Sequence, residues 1–470
     1  MQITAKKKDF VWNYLGLFFR MGKSFLLLPV LLALLSGEHL GLWYVFLAIS
    51  NFVATFQAGF APSFARNVAY CWSGVKGFES KGVSTDRDQS VDYDLFKALI
   101  SACEVVYRRI SLITLAIVSL AGTWYVAAIS GGIPLSEWAP SWLIFCIAIF
   151  MNMYFSYYES LLRGVGDFGG VNKSIIVSNI LQLVSALALL LAGFELVGCA
   201  ISFLIQGVSF RTLCRTAFYS SRKMKEKISN SQKPSRGEVD SIIRAIMPNS
   251  IKDTVVSFAN FLMSNASTIL CSLYASLSET GTFSVMLQLF NAIANISAVV
   301  LTTYQPMLQS AFSNGDIQLE RKVTSKVYSG FIALYALMFL GSVIVAFPLL
   351  TVIKPTFVPD WGLIWLMGAY YFLWRLYSTS ATLITNTNNI PYMWSFIFSA
   401  VAGMALSTLF MAVFDWGVAG LILGQLLVQL VYNDWKWPHE VCKRFKTSLF
   451  ELIFQGCLEW ESSLKSVFRR

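Results

Sequence analysis

Positively charged side chains interrupt two apolar stretches of the sequence. Arg20 and Lys23 lie in the stretch 10–35, and Arg375 lies in the stretch 361–385 among tyrosine and tryptophan residues. A charge near the centre of a bilayer costs at least about 2.5 kcal/mol, so such residues are candidates for function. Arginine matches phosphate oxygens with a planar fork, and lysine supplies a point charge. We expect all three to bind an anionic headgroup such as a diphosphate; the alternative is that they pair with acids and hold helices together.

Amide side chains also lie within apolar stretches, where a polar group needs a partner. They either hydrogen-bond between helices or line a polar cavity. The residues at positions 291 and 295 share one helix face because they are four apart. The cavity-lining candidates are Asn51, Gln57, Asn260, Asn291 and Asn295.

Buried acids and metal ligands are scarce. Glu159 lies near the predicted inner end of its stretch with Arg163 at i+4, and Asp253 follows Lys252. We expect both acids to form ion pairs, and either could instead couple transport to H⁺ or Na⁺. The chain has eight cysteines without a CxxC motif and two histidines, which gives no basis for a metal site. The sequence therefore predicts no metal and no cofactor.

The elements that position these residues are membrane helices. Hydrophobic residues make up 56% of the chain and charged residues 13%, about half the usual share of a soluble domain. This composition excludes a soluble enzyme, a disordered chain and a disulfide-rich secreted protein. A helix of about 20 apolar residues crosses a bilayer. We predict an all-α polytopic protein of about twelve spans, at 10–35, 42–65, 110–130, 141–162, 174–193, 197–217, 246–274, 282–310, 327–353, 361–385, 393–414 and 418–435.

The distribution of Lys and Arg predicts the orientation. With the N-terminus inside, 32 of the 36 basic residues fall on the inner side, including ten from Arg211 to Lys252, and only Lys354 falls outside. Inner loops carry this excess in membrane proteins. Both termini are therefore predicted to be cytoplasmic, and the net charge of +10 requires no nucleic acid. The outer loops are too short for a catalytic domain, so we expect no enzyme.

A weak internal repeat predicts two halves. Leu40–Asn51 aligns with Thr280–Asn291, matching Gly41 to Gly281. Each half would hold six spans, and parallel repeats of this kind occur in transporters. We expect an N-terminal lobe (1–217), a cytoplasmic connector (218–245), a C-terminal lobe (246–435) around a shared central cavity, and an amphipathic tail (436–470) on the inner membrane surface.

The end of the second stretch resembles a known family. The segment Phe56–Arg66 (FQAGFAPSFAR) and the Gly-x-Trp at Gly41–Trp43 are similar to motifs of the multidrug/oligosaccharidyl-lipid/polysaccharide exporter superfamily, in its O-antigen and capsule flippase (Wzx-like) branch. The family has an acidic residue where this chain has Gln57. The closing Arg66 of this motif joins the headgroup-binding candidates.

The resemblance implies a flippase that moves an oligosaccharide on undecaprenyl diphosphate to the outer leaflet by alternating access. Its expected location is a bacterial inner membrane, beside a polysaccharide polymerase and glycosyltransferases. Three alternatives stay open. These are a multidrug cation antiporter of the same superfamily, a flippase for another lipid-linked precursor, and, with less support, a membrane polymerase or ligase.

Overall fold

The computed structural model describes residues 26–468 except 73, 78–89, 222–223, 265, 314–315, 356 and 386–390. The described residues form helices joined by short loops. They fall into two compact units, one of residues 1–261 and 276–281 and the other of residues 262–275 and 282–470. The first unit thus continues past the connector 218–245, and the predicted lobe boundaries stay a prediction.

The first unit contains the helices of the N-terminal half and most of the helix that follows them. Residues 26–34 are helical. The helices that follow are α1 (Gly37–Trp72), α2 (Tyr93–Ile129), α3 (Leu135–Tyr154), α4 (Tyr157–Gly164), α5 (Phe168–Leu191), α6 (Glu195–Ser220), α7 (Met224–Ser229) and α8 (Arg236–Ser264), of which the last residues belong to the second unit.

The second unit contains the remaining helices. These are α9 (Ala266–Tyr274), α10 (Leu277–Ser297), which begins in the first unit, α11 (Val299–Ser313), α12 (Ile317–Ile353), α13 (Trp361–Thr385), α14 (Met393–Ala412), α15 (Gly417–Val431), α16 (Asn433–Phe445) and α17 (Leu449–Phe468).

Eight helical segments in the described part of the chain are long and apolar enough to cross a membrane. They are α1, α2, α3–α4, α5, α6, the segment Leu277–Gln305, α12 and α14. This confirms the predicted all-α polytopic class. Of the other four predicted spans, 10–35 lies largely outside the described residues. The remaining three correspond to the helices α8, α13 and α15, of which α15 has only 15 residues.

Helices α2 and α12 share an irregularity. Each is 37 residues long. Each also contains a π-helical turn, Val118–Gly122 in α2 and Ser342–Ala346 in α12, at the same distance from its first residue. Such turns insert an extra residue into the helical ladder and recur at functional positions. Their equal placement in the third and ninth predicted spans supports the repeat of two halves.

Polar residues in the loops determine where several helices begin. Asp92 accepts hydrogen bonds from the backbone amides of Asp94 and Leu95 and so caps α2. Asp316 caps α12 in the same way through Leu319. These caps satisfy amides that have no partner within the helix. The turn between α5 and α6 contains Gly193 at φ +84, a conformation that favours glycine.

The amphipathic tail forms two helices, and the second packs on α12. The indole of Trp460 donates to the backbone oxygen of Lys326 at 3.0 Å. At Gly456 the two helices approach so closely that a Cβ atom would overlap the backbone oxygen of Ser325. The opposite face of α17 exposes Phe450 and Phe454. The tail is therefore anchored to a membrane-length helix, while its placement on a membrane surface stays a prediction.

Candidate functional site

The first unit contains a polar cavity of about 390 Å³ within its membrane-length helices. Helices α1, α4, α5 and α6 contribute its walls. Three alanines of α1 leave space for it at i, i+4 and i+7. The lining residues are Ala54, Gln57, Ala58, Ala61, Glu159, Ser160, Arg163, Ile175, Asn179, Gln206 and Phe210.

One carboxylate in the cavity wall binds two arginines. Arg163 donates from Nη2 and Nε to Oε1 of Glu159, at 2.8 and 3.1 Å. Arg211 donates from Nη1 to Oε2 of the same carboxylate at 3.2 Å. The Glu159 side chain is 17% exposed, whereas Arg163 is 35% and Arg211 only 7% exposed. Two cations and one anion leave this cluster with a net positive charge.

The buried guanidinium of Arg211 also reaches α1. Its Nη2 donates to Oε1 of Gln57 at 3.4 Å, and its Cζ lies 4.8 Å from the ring centroid of Phe210. The Nε atom is buried and has no hydrogen-bond partner in the described part of the chain. Arg211 therefore connects α1, α4 and α6 from a buried position beside the residues that line the cavity.

The local sequence explains how Glu159 reaches this place. Helix α3 ends at Tyr154, and Phe155 adopts φ −90 and ψ 6, which interrupts the helix. The chain restarts as the short helix α4. Glu159 and Arg163 are four residues apart on α4, so they share one face, with the acid on the N-terminal side.

A second ion pair of the first unit lies near the predicted inner end. Asp253 accepts a hydrogen bond from Ser63 at 3.2 Å, and Nη2 of Arg66 lies 3.8 Å from the same carboxylate. The Arg66 and Asp253 side chains are about half exposed. Close approach of α1 and α8 brings them together, because a Cβ atom on Gly59 would overlap Thr254. These two predicted site residues therefore contact each other.

The other predicted site residues are dispersed or not described. Arg20 and Lys23 lie outside the described residues, as does the side chain of Asn260. Asn51 and Asn295 are exposed and Asn291 is half-buried. In the second unit, Arg375 is half-buried on α13, and its Nε has no hydrogen-bond partner among the described residues. The described structure thus brings together Gln57 with Glu159, and Arg66 with Asp253.

Sequence analysis missed Arg211 as a site residue. It was counted among the cations of the inner side, but the structure buries it beside Glu159, which lines the cavity. The signal was its position inside the stretch 197–217, several residues before the stretch ends. A cation so placed needs a buried partner, and the partner Glu159 lies 52 residues away in the chain.

Comparison with known proteins identifies the fold. No protein-family model and no curated protein matches the sequence. An inward-facing multidrug resistance MATE family transporter of the MOP superfamily superposes with a TM-score of 0.64, at 15% identity, over 94% of this chain and all of its own. The chain has the fold of the MATE transporters.

Two further MATE structures agree. An outward-facing multidrug resistance MATE family transporter gives a TM-score of 0.52 at 16% identity, over 93% of this chain and 94% of its own. A MATE in complex with MaD3S gives a TM-score of 0.53 at 16% identity, over 94% of this chain and 97% of its own. At identities of 15 and 16%, these similarities show the fold alone.

Proposed function

We propose that the chain is a multi-pass membrane transporter of the MOP superfamily. The observation that carries this proposal is the full-length similarity in fold to an inward-facing MATE family transporter, together with eight membrane-length helices. Transport without enzymatic chemistry fits a cavity that is lined by one arginine, several amides and one carboxylate. A bacterial inner membrane remains the expected location.

The first candidate activity is multidrug export, which has the better support from the comparisons. The three structures compared above are MATE transporters, and two are named as multidrug resistance proteins. A cationic drug would need a free carboxylate. In the described cavity the one carboxylate, Glu159, already contacts two arginines. This activity would therefore require the drug to displace an arginine, or to bind elsewhere.

The second candidate is the export of a lipid-linked oligosaccharide on a diphosphate carrier. The net positive charge of the cluster that Glu159 forms with Arg163 and Arg211 supports it, as does Gln57 in place of the family's acid. Arg163 lines the cavity, and a guanidinium is well suited to bind phosphate oxygens. With the inside negative, moving an anion outward is favourable by about 2.3 kcal/mol per charge per 100 mV, so no coupling ion is required by charge. A polymerase and glycosyltransferases would then be its partners.

One experiment separates the candidates. The purified protein is reconstituted in liposomes and tested for flipping of a lipid diphosphate oligosaccharide and for export of a cationic dye. Flipping alone supports the flippase, and dye export alone supports the multidrug transporter. Activity toward neither substrate contradicts both.

Matched variants then test the cavity. Arg211→Gln removes the buried cation, and Lys225→Gln removes an exposed cation from α7 outside the cavity. We expect the flippase to lose at least tenfold in rate with Arg211→Gln and to keep its rate with Lys225→Gln. Equal rates in folded variants would contradict the assignment of the headgroup to this cavity.

A further inference from the structure

A row of polar side chains runs through the interior of the second unit, and nearly every member has a partner. Gln425 accepts a hydrogen bond from Tyr370 and donates to Ser267, both at 2.8 Å. Gln429 and Asn433 follow Gln425 at intervals of one helical turn, and Gln429 accepts a hydrogen bond from the side-chain amide of Asn433 at 2.7 Å. Buried polar groups need such pairing.

Asp434 is the exception in this row. Asp434 is 8% exposed, and neither of its carboxyl oxygens has a hydrogen-bond partner in the described structure. The nearest donors in sequence are already used. The amide of Asn433 donates to Ser399 and Gln429, and the indole of Trp437 donates to Asn433.

No cation compensates Asp434 among the described residues. Lys436, on the same helix, binds Glu440 at 2.8 Å instead. Among the described residues, no basic side chain forms an ion pair with the Asp434 carboxyl. The titratable side chains of α13 near Asp434 are the phenols of Tyr370 and Tyr377. Helices α14 and α15 present hydroxyl and amide groups here.

An ionised carboxylate in this position would be strongly unfavourable. A buried charge without a partner is neutralised rather than tolerated. A proton neutralises it without additional ligands, and the resulting hydroxyl becomes a donor in a region that contains the unpartnered hydroxyl oxygen of Tyr377. A metal ion would instead need several oxygen ligands, and the described residues contain no cluster of three acidic, histidine or cysteine side chains.

We propose that Asp434 is a proton-binding site of the second unit and carries a proton in the structure described here. The proton is released when α16 exposes the carboxyl to water and is taken up again when the carboxyl is buried. The acids that sequence analysis named for ion coupling differ from Asp434 in this respect. Glu159 and Asp253 each form an ion pair with arginine, whereas Asp434 forms none with the described residues.

Infrared spectroscopy of the purified protein tests the proton directly. A protonated carboxyl gives a C=O stretching band that a carboxylate lacks, and H/D exchange shifts it. We expect this band at neutral pH in the wild type and in the control Asp415→Asn, which removes an exposed aspartate at φ +55. We expect Asp434→Asn to lose it. A band that persists in Asp434→Asn, or that is absent from the wild type, would overturn the proposal.

A second variant covers a failure to fold. Asp434→Leu places an apolar side chain with the same branched skeleton in the same environment. If Asp434 is neutral, Asp434→Leu should remain folded with wild-type elution. If the carboxylate is instead ionised and paired with a cation, Asp434→Asn and Asp434→Leu should both lose the fold. The wild type should then show no band of a protonated carboxyl.

The coupling of this proton to transport rests on the proposed function and is measured separately. In liposomes with a pH gradient, we expect Asp434→Asn to transport at a rate that no longer responds to the gradient, while Asp415→Asn responds as the wild type does. A gradient response retained by Asp434→Asn would contradict coupling. Absence of any transport by the wild type would refute the proposed function and leave the infrared result standing.

Discussion

The two arginines that share Glu159 provide the sharpest test of the first unit. Arg163 and Arg211 bind the same carboxylate at 2.8 and 3.2 Å, but they differ fivefold in exposure, 35% against 7%. The variants Arg163→Gln and Arg211→Gln each remove one charge and keep a polar side chain. They therefore compare an accessible ion pair with a buried one on the same acceptor.

The expected magnitudes follow from burial. At about 3.2 Å and an effective dielectric of about 20, the gross attraction between unit charges is about 5 kcal/mol. Removal of one partner from a buried pair costs about 3 to 5 kcal/mol. Because Glu159 keeps its other arginine, we expect about 3 kcal/mol for Arg211→Gln. A solvent-accessible pair contributes at most about 1 kcal/mol. We therefore expect about 1 kcal/mol for Arg163→Gln.

Denaturant titration in detergent micelles measures the free energy of unfolding of each variant. We expect Arg163→Gln and Arg211→Gln to differ by about 2 kcal/mol, a factor of about 30 in the equilibrium constant. Repeating Arg211→Gln in a Glu159→Gln background should reduce its cost to less than half, because the carboxylate is then gone. Equal losses for the two arginine variants, or an unchanged cost in the Glu159→Gln background, would refute the argument from burial.

Three further substitutions test the packing of the helices. In Gly41→Ala the added methyl group would overlap the backbone oxygen of Leu277, so we expect a loss of about 1 to 3 kcal/mol in the free energy of unfolding. The control Gly341→Ala adds a methyl group that meets open space on α12, so we expect no loss. Equal effects of the two variants would contradict the close approach at Gly41. Gly456→Ala should detach α17 from α12 and make the tail at least tenfold more susceptible to limited proteolysis, and wild-type protection would disprove this contact. His39→Gln should cost about 1 kcal/mol, because the ring nitrogens lie 2.7 and 3.2 Å from two half-exposed glutamates; an increase in stability would show that these contacts are unfavourable.

The fold class could be predicted from the sequence because lipid restricts the choice of structure. A backbone in hydrocarbon must satisfy its own hydrogen bonds, so long apolar stretches form helices. Length and composition alone therefore indicated most of the helices, including those that contain Gly41 and Arg375. Pairing at short range was also predictable, because Glu159 and Arg163 lie one turn apart on α4.

The sequence did not reveal that the helical segment 135–164 is interrupted at Phe155. It also did not reveal that the tail forms two helices, of which α17 packs against α12. The first depends on a local change of backbone angles in an apolar run, and the second on a close approach at Gly456. Neither changes the hydropathy pattern. Both are consequences of packing between helices rather than of composition.

The sequence by itself determined that the chain crosses a membrane as helices and that its charges concentrate on one predicted side. Only the tertiary structure decided which charges have partners. Arg211 binds a carboxylate 52 residues away, whereas Asp434, in a stretch with lysine and glutamate nearby, binds none of the described residues. The reason is physical: pairing depends on distances between helices and on burial, and neither is encoded in the spacing of residues along one helix.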